Sequence, residues 1–255
     1  MFWQVLDPKF LEIAFFELPF YDLLLLSFSG FAALYFSWAG IGFFYGRVLC
    51  QRFGWGTILD RRPLFKGQLL FELKHSLVSI FIFALYGVLT AWALRQGWVS
   101  IKFLDFSMSR YLIHMAVIVL WNEIHFYAIH RFLHRTWWFK KVHEVHHRSV
   151  TTTPFSTFSF HPVEALLLSS VMITAMLFFN FDVYVLLTFP AVSLFANSIG
   201  HLNFTVFSNS SMNEFASASR RHAAHHRFFS GNYGFLFPYF DRWLSTAFGD
   251  KKDFH

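Results

Sequence analysis

Long stretches of this chain lack the alternation of apolar and polar positions that a helix on the surface of a soluble protein shows. Apolar residues run almost without interruption through residues 21–45, 77–94 and 111–129. Each run is close to the ~20 residues that a helix needs to cross about 30 Å of hydrocarbon. A fourth region, residues 165–199, is long enough to cross twice if the chain turns at residues 180–182. Asn and Asp in this segment are typical turn residues and are costly at the centre of a bilayer. The pattern therefore predicts an all-α integral membrane fold with about four transmembrane helices.

The composition supports this prediction. Hydrophobic residues make up 55% of the chain and charged residues 14%, whereas soluble domains have roughly 45–50% and 25%. Cys50 is the one cysteine, which excludes an intramolecular disulfide and a cysteine-based metal site built from this chain. The first 20 residues lack the pattern of a cleaved signal peptide, so we expect the first span to be retained. We find no repeat or linker and interpret residues 1–255 as a single domain.

The positions of the basic residues orient the spans. Most of the 21 Lys and Arg residues lie in three hydrophilic stretches, 47–66, 131–148 and 220–252. By the positive-inside rule these stretches face the cytoplasm. The net charge of +6 then fits loops beside anionic lipid headgroups and requires no nucleic acid as a partner. We predict a multi-pass protein of the endoplasmic reticulum or of a bacterial inner membrane.

Nine of the 14 histidines lie in short motifs at the predicted cytoplasmic ends of the spans. They are His130, His134, His143, His146, His147, His201, His222, His225 and His226. Residues three and four apart on a helix lie on the same side, so each H-x-x-H-H motif offers up to three imidazoles. Imidazole is a common ligand of zinc, copper, iron and nickel, and one zinc takes three or four protein ligands. Nine histidines would therefore fill two metal ions, held in a cytoplasmic helical cap.

Four of the other five histidines are expected to play ordinary roles. We interpret His75, His114, His125 and His255 as surface or structural residues.

The segment His143-Glu144-Val145-His146-His147 also reads as H-E-x-x-H, the zinc-binding helix of metallopeptidases. In those enzymes the glutamate is the general base beside the zinc. The second motif, residues 222–226, has the same histidine spacing with Ala223 in the glutamate position. Because the two motifs share H-x-x-H-H rather than H-E-x-x-H, we favour a dimetal site and keep a zinc metallopeptidase as the alternative.

The order of the motifs resembles the fatty acid hydroxylase and sterol desaturase superfamily. It comprises His130-Arg131-x-x-His134, H-x-x-H-H at 143–147, His161-Pro162-Val163-Glu164, His201, H-x-x-H-H at 222–226, GNYG at 231–234 and Asp241. The resemblance covers more than half of the chain, with a histidine-motif core at about 111–249. It implies a membrane enzyme that uses a cytoplasm-facing, histidine-ligated pair of non-heme iron ions, dioxygen and two electrons to hydroxylate or desaturate a lipid.

The same resemblance implies that the nine clustered histidines are the iron ligands. The residues around HPVE and GNYG are similar to sterol desaturase-like members, so a sterol is the first substrate expected, followed by an acyl, sphingoid or ether lipid. Sequence does not choose between hydroxylation and desaturation.

Several residues are predicted to support the ligands. Glu123 and Tyr127 lie on the same helical stripe as His130 and His134. A carboxylate in a span needs a partner, so we expect Glu123 to hydrogen-bond a ligating imidazole, with Asn122 or Arg131 as alternative partners. The resemblance adds four further residues with orienting, water-holding or substrate-side roles: Asn197, His161, Glu164 and Asp241.

The electrons have to come from another protein. The chain has no G-x-G-x-x-G fingerprint for a nicotinamide or flavin cofactor. An external donor such as cytochrome b5, or ferredoxin with its reductase, is implied, and the basic face would steer an acidic carrier. A membrane metal transporter or heme carrier is the non-enzymatic alternative, but it would place histidines within the spans.

Overall fold

The computed structural model describes residues 7–54, 56–205 and 217–248, and within them the fold is helical. The helices are α1 (Pro8–Glu17), α2 (Phe20–Phe44), α3 (Cys50–Phe53), α4 (Gln68–Arg95), α5 (Met108–Leu133), α6 (Thr136–Trp138), α7 (Glu144–His147), α8 (Pro162–Ser169), α9 (Val171–Met176), α10 (Val183–Gly200), α11 (Ala218–Phe228) and α12 (Tyr239–Trp243). Tyr45–Leu49 and Phe139–His143 are π-helical turns, and Pro154–Phe158 is a 3-10 turn. Two minimal sheets pair β1 (Thr57–Ile58) antiparallel with β4 (Phe204–Thr205) and β2 (Ile101–Lys102) parallel with β3 (Phe181–Asp182).

Four of these helices, α2, α4, α5 and α10, are long and apolar enough to cross a membrane. This confirms the prediction of an all-α membrane fold with about four spanning helices. The expected double crossing through residues 165–199 is only half met, because α8 and α9 break at Ser170. Together they extend about 22 Å at 1.5 Å per residue, which is less than the hydrocarbon thickness.

The turn predicted at residues 180–182 is present. Asp182 caps α10 by accepting a hydrogen bond from the Tyr184 amide at 3.2 Å, and its carboxylate pairs with Arg110 Nε at 2.6 Å. Both contacts stabilise a carboxylate that is fully buried. The turn leads from α9 into α10, and both helices pack against α5.

Two apolar clusters hold the helices together. In the first, Tyr35 of α2 packs on Ile80 of α4 and stacks on Phe158, with ring centroids 5.7 Å apart. In the second, Ile118 of α5 packs with Phe181 of β3 and Phe189 of α10. Apolar side chains are also exposed along the helices, which suits a surface in contact with lipid.

One end of the four long helices carries the polar cap, which consists of residues 134–161 and 217–248. At this end Gln68, the first residue of α4, donates from Nε2 to the Thr151 carbonyl at 2.8 Å. At the other end Arg95, the last residue of α4, donates to the carbonyls of Phe15 and Leu18. Since α2, α5 and α10 finish at the capped end, every histidine motif meets there.

Candidate metal centre

The nine clustered histidines form two adjacent groups. The ligand-capable nitrogens within each group all lie within 4.8 Å of one another. The five-histidine group is His130, His134, His143, His147 and His225, and the four-histidine group is His146, His201, His222 and His226. The groups touch: the ring centroids of His147 and His226 are 4.6 Å apart. The structure thus brings together every histidine that the sequence selected as a candidate ligand.

Each H-x-x-H-H motif is divided between the two groups. His143 and His147 belong to the five-histidine group, whereas His146 between them belongs to the other. In the second motif the pattern is reversed, with His225 alone in the five-histidine group. Helical positions i+3 and i+4 differ by about 100° around the axis, so the expectation that one motif presents three imidazoles to one side is wrong.

The spacing of the nitrogens matches that of ligands around one ion. His147 Nε2 lies 3.2 Å from His134 Nε2, 3.1 Å from His143 Nε2 and 3.0 Å from His225 Nε2. Two nitrogens that each bind one ion at about 2.0–2.1 Å, at right angles, are about 2.8–3.0 Å apart. In the four-histidine group the Nε2 atoms of His222 and His201 are 2.9 Å apart, and those of His226 and His222 are 3.0 Å apart.

The hydrogen bonds of four rings show which nitrogen carries the proton. The Nδ1 atoms donate as follows: His130 to the Tyr233 carbonyl at 2.9 Å, His225 to the Gly231 carbonyl at 2.7 Å, His143 to Glu164 Oε1 at 2.8 Å and His201 to Ser156 Oγ at 2.8 Å. Each Nε2 atom therefore presents a lone pair to the centre of its group. Facing lone pairs repel, and His130 Nε2 is buried with no hydrogen-bond partner among the described residues. A cation within each group would satisfy these nitrogens.

The imidazoles outside the spans are neutral. Burial lowers the pKa of His146 to about 3 and that of His134 to about 2. Burial, and the positive charge that neighbouring imidazoles would carry, also hold the pKa of His147 and His226 well below its usual value. Neutral imidazoles are the form that binds metal.

The loop GNYG, residues 231–234, supplies two of the carbonyls that orient the five-histidine group. Gly231 has φ +73°, and a Cβ there would lie 2.5 Å from the Thr246 carbonyl oxygen. Asp241 holds the loop by accepting hydrogen bonds from the amides of Tyr233 at 2.8 Å and Gly234 at 2.7 Å. Asp241 therefore acts on the histidines through the loop backbone.

Among the described residues Glu123 has no hydrogen bond to an imidazole, so the expected hydrogen bond to a ligand is wrong. Its carboxylate accepts from the amides of Leu236 at 3.0 Å and Phe237 at 3.4 Å. The loop after GNYG folds back over α5 and brings these two amides, rather than an imidazole ring, to the carboxylate. Glu123 supports the same loop from its far side.

Tyr127 also acts on this loop at a distance. Its hydroxyl lies 2.9 Å from Thr246 Oγ1, which donates to Asp241 Oδ1 at 2.8 Å. Tyr127 thus joins α5 to the residues that hold GNYG, without touching a candidate ligand in the described contacts.

The segment HPVE orients the group from another direction. His161 caps α8 by accepting the Val163 amide on Nδ1 at 3.1 Å, and so fixes the helix that carries Glu164. Glu164 is buried and accepts from His143, while its second oxygen, Oε2, has no partner among the described residues. Glu164 has the contact expected of an orienting residue.

Asn197 lies beside the two histidine groups, and its hydrogen bond in the described part of the chain is to a backbone carbonyl instead. It donates from Nδ2 to the Thr157 carbonyl at 3.3 Å. It also lines a cavity of about 10 Å³ that reaches histidines of both groups, which is room for about one water molecule.

Ser156 is a functional residue that sequence reasoning missed. Its hydroxyl accepts from His201 and donates to the Thr153 carbonyl at 2.6 Å. The signal was the TPFS segment, residues 153–156, in which Thr153 and Ser156 form a capping box. The orienting carbonyls of GNYG gave no signal, because any residue has a carbonyl group.

Three of the remaining histidines have ordinary partners, as expected. His75 Nδ1 lies 2.9 Å from the Phe71 carbonyl oxygen, His125 Nε2 lies 2.9 Å from Ser170 Oγ, and His114 accepts from the Asp182 amide. His255 lies outside the described residues.

Comparison with known proteins agrees with the motif order. The family model described as fatty acid hydroxylase matches residues 115–246, half of the chain. The chain belongs to the fatty acid hydroxylase family. This confirms the resemblance seen in the motifs, and the matched region includes all nine clustered histidines and Asp241.

The curated relatives are enzymes of lipid metabolism. A Delta(7)-sterol 5(6)-desaturase of Schizosaccharomyces pombe is 32% identical over 62% of this chain and 49% of its own length. A lathosterol oxidase of Homo sapiens is 26% identical over 85% of this chain and 73% of its own length. A sphinganine C4-monooxygenase of Arabidopsis thaliana is 26% identical over 73% of this chain and 70% of its own length. The sterol relatives support a sterol desaturase-like member.

Two further facts bound the comparison. The chain spans about half the length of the first curated relatives that it matches, 49% and 53%. No solved structure matches it.

The geometry does not favour the alternatives raised by the sequence. The side chain of Glu144 is exposed, and it belongs to neither histidine group, so it is poorly placed to be a zinc-bound general base. A group of five converging nitrogens also exceeds the three protein ligands of a catalytic zinc. Heme iron accepts axial ligands only, whereas four or five imidazoles converge in each group.

Proposed function

We propose that this chain is a membrane-bound lipid oxygenase that holds two non-heme iron ions. The observation that carries the proposal is the pair of adjacent histidine groups, with neighbouring Nε2 atoms 2.9–3.2 Å apart. The nine histidines are the proposed ligands. Both groups are nitrogen-only among the residues that the structure describes, unlike the glutamate-rich sites of soluble diiron bundles.

The metal would supply the step that no side chain can perform. When bound and reduced, an iron pair provides, with dioxygen, an oxidant able to remove hydrogen from an unactivated C–H bond. Hydroxylation consumes one dioxygen, two electrons and two protons per C–H bond and releases one water. Desaturation consumes the same reagents and releases two waters.

The protein's own residues would hold the imidazoles and exclude water. Eight of the nine histidines are buried and His134 is half-buried. Glu164, Ser156 and the GNYG carbonyls fix the ring tautomers, because each accepts a hydrogen bond from Nδ1–H and leaves the lone pair of Nε2 free. A rigid, dry site of this kind favours oxidation of the substrate over loss of the oxidant to water.

The small cavity between the groups marks where the reacting carbon would lie. Its apolar walls are Phe126, Leu133, Phe160 and Leu168. Phe126 of α5 and Leu168 of α8 are half-buried, so movement of these two side chains would admit a lipid chain or ring from the bilayer. Besides the histidines, Asn197 and Glu164 are the polar residues in its lining.

The names of the relatives suggest the substrate class. Sterol desaturases and a lathosterol oxidase support a sterol, and the sphinganine monooxygenase supports a sphingoid lipid as the next candidate. We infer that the metal-bearing cap faces the cytoplasm, on the positive-inside argument, and that an external carrier supplies the electrons.

Metal analysis of the purified protein tests this proposal. We expect two irons per chain and no Soret band, followed by a new hydroxylated or desaturated lipid when the active protein is added to membranes containing sterols. Zinc in place of iron, a heme spectrum, or unchanged lipid profiles with iron and reductant present would refute it.

A further inference from the structure

A basic groove opens on the surface of the cap beside the five-histidine group. It encloses about 660 Å³, and its defining residues are Phe139, Lys140, Lys141, His147, Arg148 and Phe229. It shares no lining residue with the small cavity proposed for the reacting carbon, whose walls include residues of α5 and α8.

The floor of the groove rests directly on the candidate ligands. The ring of Phe139 lies 5.4 Å from that of His147 and 5.3 Å from that of His134, measured between centroids. The ring of Phe229 lies 5.3 Å from that of His147. His147 itself lines the groove between these aromatic rings, so a molecule in the groove would lie within one side chain of the five-histidine group.

The rim carries positive charge without matching carboxylates. Lys140, Lys141 and Arg148 are exposed, and none of them forms an ion pair with a carboxylate in the described parts of the chain. Arg148 instead lies over the rings of Phe65 and Phe71, at 5.0 Å and 4.7 Å. Glu144 is the one acidic residue of the groove.

Unpaired cations around an apolar floor suit an acidic protein surface. Charge complementarity speeds and orients encounter, and transient electron-transfer complexes use small interfaces of this kind. A neutral lipid entering the groove would have to pass charged side chains at the rim, whereas the small cavity beside Phe126 and Leu168 offers apolar walls.

We propose that the basic groove is the docking site of an acidic one-electron carrier protein, which delivers electrons to the five-histidine group across Phe139 and Phe229. The proposal rests on the proposed function, because each turnover of an oxygenase takes two electrons from outside. The carrier is oxidised and the bound metal is reduced, one electron per encounter.

The test uses the full chain with iron bound, in nanodiscs that contain its lipid substrate. The probe is the soluble, acidic heme domain of cytochrome b5, reduced beforehand and kept far below saturation. Its reoxidation in the presence of dioxygen is followed by heme absorbance. The Lys140→Glu/Lys141→Glu variant is compared with Arg52→Glu/Arg61→Glu, which makes the same change in net charge at exposed residues away from the groove.

At low ionic strength we expect the rate constant of carrier oxidation to fall at least ~10-fold in the groove variant and to lose most of its salt dependence. The control should stay within about twofold of the parent. Turnover driven by dithionite and a small mediator should be equal in all three proteins.

Three outcomes overturn the docking proposal. The first is a parental carrier rate in the groove variant, and the second is an equal loss of rate in the control. The third is that dithionite-driven turnover of the groove variant falls as much as carrier-driven turnover, or that its KM for lipid rises. Absence of dithionite-driven turnover in the parent protein would instead refute the proposed oxygenase itself, so the two failures are distinguishable.

Discussion

Replacing Asp241 with Ala should remove the ion held by the five-histidine group while the four-histidine group stays occupied. Asp241 is 2% exposed and accepts hydrogen bonds from the amides of Tyr233 and Gly234. The carbonyls of this loop in turn orient His130 and His225. Both of these rings belong to the five-histidine group, so the damage should be confined to one half of the centre.

The expected magnitude follows from the hydrogen bonds. Left without an acceptor, these two half-buried amides cost up to roughly 1–3 kcal/mol each, or up to roughly 2–6 kcal/mol together. Losing an orienting contact of a metal ligand typically lowers metal affinity about 10–100-fold, which is roughly 1.4–2.8 kcal/mol. The penalty for keeping the loop in place is therefore at least comparable to what one orienting contact contributes to binding, and the loop should move.

The assay is elemental analysis of purified protein together with turnover. We expect iron to fall from two to about one per chain and turnover to fall at least ~10-fold. Asp241→Asn should give an intermediate loss, because its amide oxygen still accepts a hydrogen bond. Asp105→Ala, at an exposed site, is the matched control. Full iron and parental turnover in Asp241→Ala would refute the reasoning, and so would equal loss of both ions in a protein that still unfolds cooperatively.

Three other predictions follow from the contacts of the centre. Ser156→Ala should have the complementary effect and empty the four-histidine group, since Ser156 orients His201; iron per chain should again fall to about one. Glu164→Ala should lower iron affinity about 10–100-fold by freeing His143, and Glu164→Gln should restore much of it by presenting an amide oxygen to the same Nδ1. Acidification should destabilise the metal-free protein, because burial holds the pKa of His146 at about 3 while the unfolded chain has the ordinary value of about 6.5. Between these values the unfolded state binds the proton and the folded state does not, so the stability present above pH 6.5 is lost as the pH falls, by roughly 1.4 kcal/mol per pH unit for each such histidine.

Each of these has a result that contradicts it. Loss of the other ion in Ser156→Ala, or equal affinity in Glu164→Ala and the parent, would show that the described contacts do not set ligand orientation. A melting temperature of the metal-free protein that is constant or rises between about pH 7.5 and 5.5 would contradict the neutral-imidazole assignment.

Local patterns were sufficient to predict the spanning helices and the turn at Asp182. An apolar run of about 20 residues has few alternatives to a membrane helix, because its backbone must satisfy its own hydrogen bonds in lipid. The same argument predicted one crossing too many for residues 165–199, because α8 and α9 break at Ser170 before they can complete a crossing.

Predictions about partners within the fold were weaker. The helical stripe assigned Glu123 to a face of α5 that is indeed buried. The hydrogen-bond partners of Glu123, however, are amides that lie more than 100 residues later in the chain. Ser156 was missed for the same reason, since no neighbouring residue in the sequence indicates that Ser156 hydrogen-bonds His201.

The sequence by itself determined which residues could form the centre, because imidazole donors repeated every three or four residues, in a chain with few other soft ligands, already indicate a metal site. The division into five and four was decided by the tertiary structure. Each motif turns its i and i+4 imidazoles to one group and its i+3 imidazole to the other. The two motifs meet to share both groups, and distant segments complete them, with His130 and His134 in one group and His201 in the other. Spacing along a helix fixes the angles between neighbouring side chains, but only the packing of distant segments fixes the point at which they meet.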